Sequence, residues 1–301
     1  QVILSYTTQH NMKSGTPTMG GIIFIITISL SALLFFTPEF KLAGMALLLF
    51  IGFGLIGFLD DFIKFKFKRN LGLRPYQKII AQFLLALAGA LYVYFSPLVG
   101  SLVWVPFADM YVDFGFWIIP LITLIFLATT NSVNLTDGLD GLASSTTMCY
   151  MISFIALLMM AVANGTMEGE SIILMNEHRS IIILASAVVG ALLCFLTFNS
   201  YPAKIFMGDT GSLALGSLVA SVAVFTRSVL FIPIFGIMFV VSAVSVIVQV
   251  AYYKRTKRRV FLMAPLHHHF EKKGIHEVKI AVIYSIITMM VGVVVVLLEM
   301  M

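Results

Sequence analysis

The sequence predicts an all-α polytopic integral membrane protein, and three observations carry that prediction. Of 301 residues, 60% are hydrophobic and only 11% charged, well above the ~45–50% apolar usage of soluble globular domains. Apolar stretches of about 17–24 residues recur along the chain, each long enough to cross a ~30 Å hydrocarbon core as a helix. The basic residues also alternate in density from loop to loop.

Nine spans follow, at roughly 20–37, 42–62, 78–95, 116–133, 142–163, 180–198, 209–226, 230–253 and 279–298. Ahead of the first, residues 1–15 are polar with no signal-peptide pattern, and 12–21 (MKSGTPTMGG) make a tight, hydroxyl-lined turn. The second span carries Gly52, Gly54 and Gly57, small residues that let helices approach closely, and it ends in Asp60 and Asp61. Between the third and fourth spans, 101–115 have the aromatic and β-branched residues of a short external hairpin. Segment 171–179 reads as a short interfacial helix before the sixth span. Asp209 opens the seventh at a helix N-terminus, where an anion is favoured. A large basic loop separates the eighth span from the ninth. No repeat, low-complexity tract or linker divides residues 1–301, which read as a single transmembrane domain.

Alternate loops hold Lys13; then Lys64, Lys66, Lys68, Arg69, Arg74 and Lys78; then Lys204; then Lys254, Arg255, Lys257, Arg258, Arg259, Lys272, Lys273 and Lys279. The opposite loops hold only Lys41, Arg179 and Arg227. Since positive loops stay cytoplasmic, the N-terminus lies inside, together with Asp60, Asp61, Asp137, Asp140 and Asp209. The +5 net charge fits this topology and anionic lipid headgroups rather than a nucleic-acid partner. Cys149 and Cys194 fall inside spans and imply neither a disulfide nor a thiolate metal site.

A carboxylate at the edge of a bilayer is costly unless a metal, a partner or water meets it, so several on one leaflet mark a functional site. In GFLDDFIKFKFKRN, the adjacent Asp60 and Asp61 point ~100° apart on a helix. One can hold a cation while the other faces a substrate; the plainer reading is a helix end neutralised by Lys64 and Lys68. NSVNLTDGLDGLASS puts Asp137 and Asp140 on one helical face, with Asn131, Asn134 and Thr136 beside them. An ordinary capping loop would leave so many polar groups unsatisfied at membrane depth. In NSYPAKIFMGDTGSLALG, Asp209 is either a plain cap or part of a phosphate-binding helix end with Gly208 and Gly211. Phe206 is the aromatic placed there to stack on a base, although a membrane anchor is the commoner role. APLHHHFEKKG brings His267, His268 and His269 into the basic loop. Adjacent histidines rarely all reach one ion and no thiolates accompany them, so contact with phosphate oxygens fits better than zinc. The acids together suggest a metal-dependent reaction on a charged substrate. An ion-coupled transporter is the rival class, but it predicts acids near mid-span and an inverted repeat, and neither is evident.

Five motifs in this order, GTPTMGG, FLDDFIK, NLTDGLDGLA, NSYPAKIFMGDTGSLALG and APLHHHFE, run from residue 15 to 271. Together they resemble the phospho-N-acetylmuramoyl-pentapeptide transferases, a family of the polyprenyl-phosphate N-acetylhexosamine-1-phosphate transferase superfamily. The resemblance implies transfer of phospho-MurNAc-pentapeptide from UDP-MurNAc-pentapeptide to undecaprenyl phosphate. The products are lipid I and UMP, in the first membrane step of peptidoglycan synthesis. It further implies Mg²⁺, ten transmembrane helices with the ninth broken or bent, a homodimer, and a cytoplasm-facing cleft in the bacterial inner membrane. Uridine-containing nucleoside antibiotics are the implied inhibitors. With nine spans read here, the family's first helix is absent from this sequence, and residues 1–11 match the family pattern poorly.

Carried over by position, Asp209 would ligate Mg²⁺ and the diphosphate. Asp60 and Asp61 would lie beside it, one completing the metal site (Asp61) and one acting as base toward the lipid phosphate. Asn134, Asp137, Asp140 and Asn199 would line the nucleoside pocket, with Phe206 stacked on uracil. Lys13 and Thr18 would contact the nucleotide from the opposite side. His267, His268, His269 and Gln249 would contact substrate or inhibitor, and Lys78 the lipid phosphate. A sister enzyme transferring GlcNAc-1-phosphate would share the aspartates; GTPTMGG and the histidine run argue against it.

Overall fold

The computed structural model describes residues 15–67, 72–108, 110–163 and 172–300. Its helices are α1 (Gly21–Phe35), α2 (Lys41–Lys66), α3 (Pro75–Phe95), α4 (Ile118–Thr136), α5 (Leu142–Ala163) and α6 (Ile172–Asn199). They continue as α7 (Gly208–Phe225), α8 (Ile232–Phe235), α9 (Ile237–Thr256), α10 (Leu266–Lys272) and α11 (Glu277–Glu299). Strands β1 (Leu102–Val105) and β2 (Met110–Asp113) pair antiparallel between α3 and α4, with Leu102 opposite Asp113. The expected hairpin is therefore present. Among the described residues, eight helices are long and apolar enough to cross a membrane, and α1, with 15 residues, is a shorter apolar helix. The chain is an all-α multi-pass membrane protein.

The bundle is organised around α7. Every residue from Thr210 to Phe225 is buried, because Gly, Ala, Ser and Val leave the helix thin enough for α1, α2, α4 and α5 to pack on it. The approach is closest at Gly57 of α2, where an added Cβ would lie 2.1 Å from the Asp209 carbonyl oxygen. Only glycine fits that crossing, and it holds the inner turns of α2 against the first turn of α7.

Two expectations change. Segment 171–179 does not form a separate interfacial helix; from Ile172 onward it is the start of α6. The reason is that Leu174, Glu177 and His178 continue the buried face of that helix. The eighth span, expected as one helix over 230–253, is interrupted: a 3-10 turn at Val229–Phe231 leads into α8, and α9 restarts at Ile237. Pro233 sits in the first turn of α8, and the chain swings at Gly236, where a Cβ would lie 2.7 Å from the Ile232 carbonyl oxygen. This is where the resemblance implies a broken helix.

The bundle has two polar ends. At one, the last turns of α2 and α4 meet the first turn of α7. At the other lie the hairpin, the start of α2 and the outer turns of α6. There Glu177, fully buried, accepts hydrogen bonds from the Lys41 and Leu42 amides at 2.9 and 2.8 Å, and so satisfies the first amides of α2.

Candidate active site

The acid end gathers three carboxylates from two helices: ligand oxygens of Asp60, Asp61 and Asp209 all lie within 4.8 Å of one another. As helical geometry predicts, the adjacent Asp60 and Asp61 diverge. Asp60 Oδ1 accepts from the Leu73 amide at 2.8 Å. Asp61 Oδ2 accepts from the amide and hydroxyl of Thr210, at 2.9 and 2.8 Å, in the first turn of α7. Asp209 Oδ1 accepts from Asn134 Nδ2 at 2.7 Å, and that amide also reaches Ser212 Oγ at 2.8 Å.

Each carboxylate thus has one oxygen held by fixed neutral donors. The other oxygens turn toward Lys64, whose Nζ lies 2.5 Å from Asp60 Oδ2, 2.7 Å from Asp209 Oδ2 and 3.5 Å from Asp61 Oδ1. Among the described residues, Lys78 Nζ pairs with Asp209 Oδ2 alone, at 2.9 Å. Three acids face two lysines, and the donor set is entirely hard oxygen, the ligand type that magnesium prefers. Gly208, at φ +72°, closes the cradle: a Cβ there would lie 2.5 Å from Asp61 Oδ2 and 3.0 Å from Thr18 Oγ1. The residues present therefore fit a divalent cation.

Asp137 follows the last turn of α4. Its carboxylate accepts no hydrogen bond among the described residues. Desolvation, with the charges of Asp209, Asp61 and Asp140 behind it, pushes its pKa up to about 8. An acid that accepts no hydrogen bond among the described residues, beside three others, is placed to bond a polar group on a ligand.

Other expected site residues act one step back. Asp140 and Asn199 are buried, and each bonds the backbone of the 200–207 loop. Asp140 Oδ2 accepts from the Ala203 amide at 2.9 Å; Asn199 donates to the Ile205 carbonyl at 3.0 Å and accepts from Ser144 at 2.9 Å. Through these bonds they shape the loop that carries Phe206. Phe206 is half-buried, and its backbone is fixed by bonds to Pro17 O (2.9 Å) and from the Gly20 amide (2.8 Å). This brings the GTPTMGG segment, with Thr18, to the acid cluster. Lys13 lies outside the described residues.

The three histidines differ in surroundings, although the His267 and His268 ring centroids lie 4.4 Å apart. His267 is fully buried with neither ring nitrogen hydrogen-bonded, and an added Cβ at Gly138 would lie 2.3 Å from its Nε2. Burial, then the neighbouring His268 ring, pushes its pKa down to about 3, so it is neutral. His268 pairs with Glu271 through Nδ1 at 2.8 Å and turns Nε2 toward the same Gly138. His269 accepts from the Leu262 amide at 3.1 Å. Gln249 accepts from the Val260 and Phe261 amides at 3.1 and 2.9 Å. His269 and Gln249 hold the basic loop, while His267 and His268 both turn Nε2 toward the DGLDG turn at Gly138.

Sequence reasoning missed the central position of Lys64, which it treated only as a neutralising charge, and the supporting hydroxyls of Thr210 and Ser212. The signal for Lys64 was its spacing, three and four residues after the two aspartates on one helix. Thr210 and Ser212 carried none, since small hydroxyls are frequent in tightly packed membrane helices.

Comparison with known proteins agrees with this geometry. The glycosyl transferase family 4 model matches residues 42–227, and a phospho-N-acetylmuramoyl-pentapeptide-transferase signature matches 13–25. The chain is 46% identical over 283 residues to the phospho-N-acetylmuramoyl-pentapeptide-transferase of Clostridioides difficile (strain 630), covering 94% of this chain and 83% of that protein. Against the protein of the same name from Clostridium botulinum (strain Eklund 17B / Type B), identity is 45% over 93% of this chain and 81% of the relative. For that of Desulfitobacterium hafniense (strain DSM 10664 / DCB-2), the figures are 42%, 95% and 84%. The chain belongs to the phospho-N-acetylmuramoyl-pentapeptide-transferase family.

Proposed function

We propose that this member of the family transfers phospho-N-acetylmuramoyl-pentapeptide from its UDP carrier to undecaprenyl phosphate, giving lipid I and UMP. The observation that carries the reading is the convergence of Asp60, Asp61 and Asp209 with Lys64 and Lys78 at the helix ends. The donor diphosphate and the acceptor phosphate are both anionic, and at this end of the bundle cations and metal-ligating oxygens meet. The five motif segments supply the surrounding walls.

Asp209 and Asp61 would hold Mg²⁺. A bound divalent cation offsets phosphate charge and polarises the phosphoryl group. Lys78, at the rim and bonded to a single carboxylate, receives the lipid phosphate. Asp60 holds that phosphate in its dianionic form or takes its second proton, whose pKa is ~6 in phosphate monoesters. Asp137, with its unused acceptors, and Asn134 face the nucleoside, Phe206 stacks on uracil, and Thr18 closes the pocket with Lys13. A groove of about 200 Å³ lined by Ile125, Thr129, Ser132, Ile232, Pro233 and Phe239 runs along α4 beside the helix break. It suits the polyprenyl tail, since Ser132 shares a helical turn with Asn134. The alternation of basic loops supports a cytoplasm-facing cleft in the bacterial cytoplasmic membrane. On the same reading the enzyme works as a homodimer and is inhibited by uridine-containing nucleosides.

Purified enzyme given undecaprenyl phosphate and Mg²⁺ should release UMP from UDP-MurNAc-pentapeptide and not from UDP-GlcNAc, and chelation should stop it. Release from UDP-GlcNAc alone would assign the chain to the sister chemistry. A phospho-sugar trapped on any aspartate, with UMP released before acceptor is added, would replace direct attack with a covalent route.

A further inference from the structure

The position of Lys64 has a consequence for how the triad takes its cation. Leu73, Thr210 and Asn134 fix one oxygen of each carboxylate, while Asp60 Oδ2, Asp209 Oδ2 and Asp61 Oδ1 surround the Lys64 ammonium. These outward oxygens are the ones a divalent ion would need. An ammonium and a divalent ion cannot share them, because like charges so close in a poorly solvated site repel strongly. Among the described residues, Lys78 competes for just one of these oxygens, Asp209 Oδ2, at 2.9 Å. Lys64 sits in the last turns of α2 on a flexible four-carbon stem, and its side chain is 24% exposed, so it has a way out toward the cleft.

We propose that Lys64 is the resident counter-ion of the carboxylate triad and exchanges with the divalent cation, leaving the three oxygens as the ion enters. The lysine offsets part of the charge of three clustered carboxylates within the folded protein, at the cost of weaker metal affinity. This rests on the reading of the triad as a metal site.

Two measurements test it without recourse to turnover. In the first, lysines of the wild-type protein in detergent are acetylated with and without Mn²⁺ and mapped by mass spectrometry. Lys64 labelling should rise several-fold with Mn²⁺ while exposed Lys254 stays constant. In the second, Mn²⁺ binding is titrated by electron paramagnetic resonance of the free ion. Lys64→Met should bind at least about tenfold more tightly than wild type, with a smaller gain for Lys78→Met. Unchanged or reduced Lys64 labelling on binding overturns the exchange, as does a Lys64→Met affinity no higher than wild type. If wild type takes up no Mn²⁺, the metal reading itself falls with it. Should Lys64→Met fail to fold, labelling of the wild type decides alone.

Discussion

The two polar ends of the bundle each bury carboxylates at helix ends, and they differ in what satisfies them. At the hairpin end, Glu177 spends both oxygens on the first amides of α2, at 2.9 and 2.8 Å. Nearby, Glu39 accepts from Asn176 at 2.9 Å. These groups are settled by donors within the fold. At the other end, Asp60, Asp61 and Asp209 each keep an oxygen for one shared ammonium, and Asp137 keeps its carboxylate without a donor among the described residues. A buried acid by itself therefore says little. An acid whose neighbours are arranged but leave acceptors facing a common point marks the site.

The contrast is broken most severely at Asp209. Asp209→Asn should lower turnover by at least about 10³-fold, some ~4 kcal/mol of lost charge stabilisation, with the thermal midpoint in detergent retained. Near-normal turnover with Mg²⁺ present would remove Asp209 from the metal site. The opposite pattern is expected at the other end: Glu177→Ala strands two buried amides and should cost about 3 kcal/mol of stability. Turnover per folded molecule should not change. A thermal midpoint equal to wild type would show that water replaces the carboxylate and that the two ends differ less than argued here.

Phe206→Ala sharpens the boundary of the acid end. Loss of stacking is worth roughly 1–3 kcal/mol per base, so UMP affinity measured by calorimetry should fall about tenfold while stability changes little. Unaltered UMP binding would return Phe206 to the role of membrane anchor. The smallest effect concerns His267. Its folded pKa lies below the unfolded value of 6.5, so the unfolded chain takes up the proton first. Stability is fully present above pH 6.5 and is lost as pH falls toward 3, by about 1.4 kcal/mol at pH 5.5. His267→Asn should flatten that part of the stability profile. An identical acid profile in the variant would mean that other groups set it.

Much of the fold was legible because a bilayer allows few solutions. Spans of about twenty apolar residues must be helices, and the predicted spans match helices within several residues, apart from the early start of α6 and the division of the eighth span. What went unread depended on neighbours. The start of α6 looked interfacial because Asn176, Glu177, His178 and Arg179 are polar. Their helix is buried there only because α2 supplies amides for Glu177 to meet. The break at Gly236 was hidden by hydropathy, which does not register where a backbone crowds its own preceding turn.

By itself, the sequence determined the membrane class, the one-sided distribution of charge, the hairpin and the residue types of the site, because each follows from local composition or spacing. It also carried the family, through five motifs in order. Only the tertiary structure decided which of those residues do comparable work. Asp140 and Asn199 share motifs with Asp137 and Asp209 but bond the Ala203 amide and the Ile205 carbonyl of the 200–207 loop. Lys64, a plain neutralising charge in sequence, becomes the centre of three carboxylates because Gly57 lets α2 and α7 approach within reach of one ammonium. Spacing along one helix fixes which side chains share a face; which oxygen is left over depends on donors brought by other helices, and no local pattern encodes those.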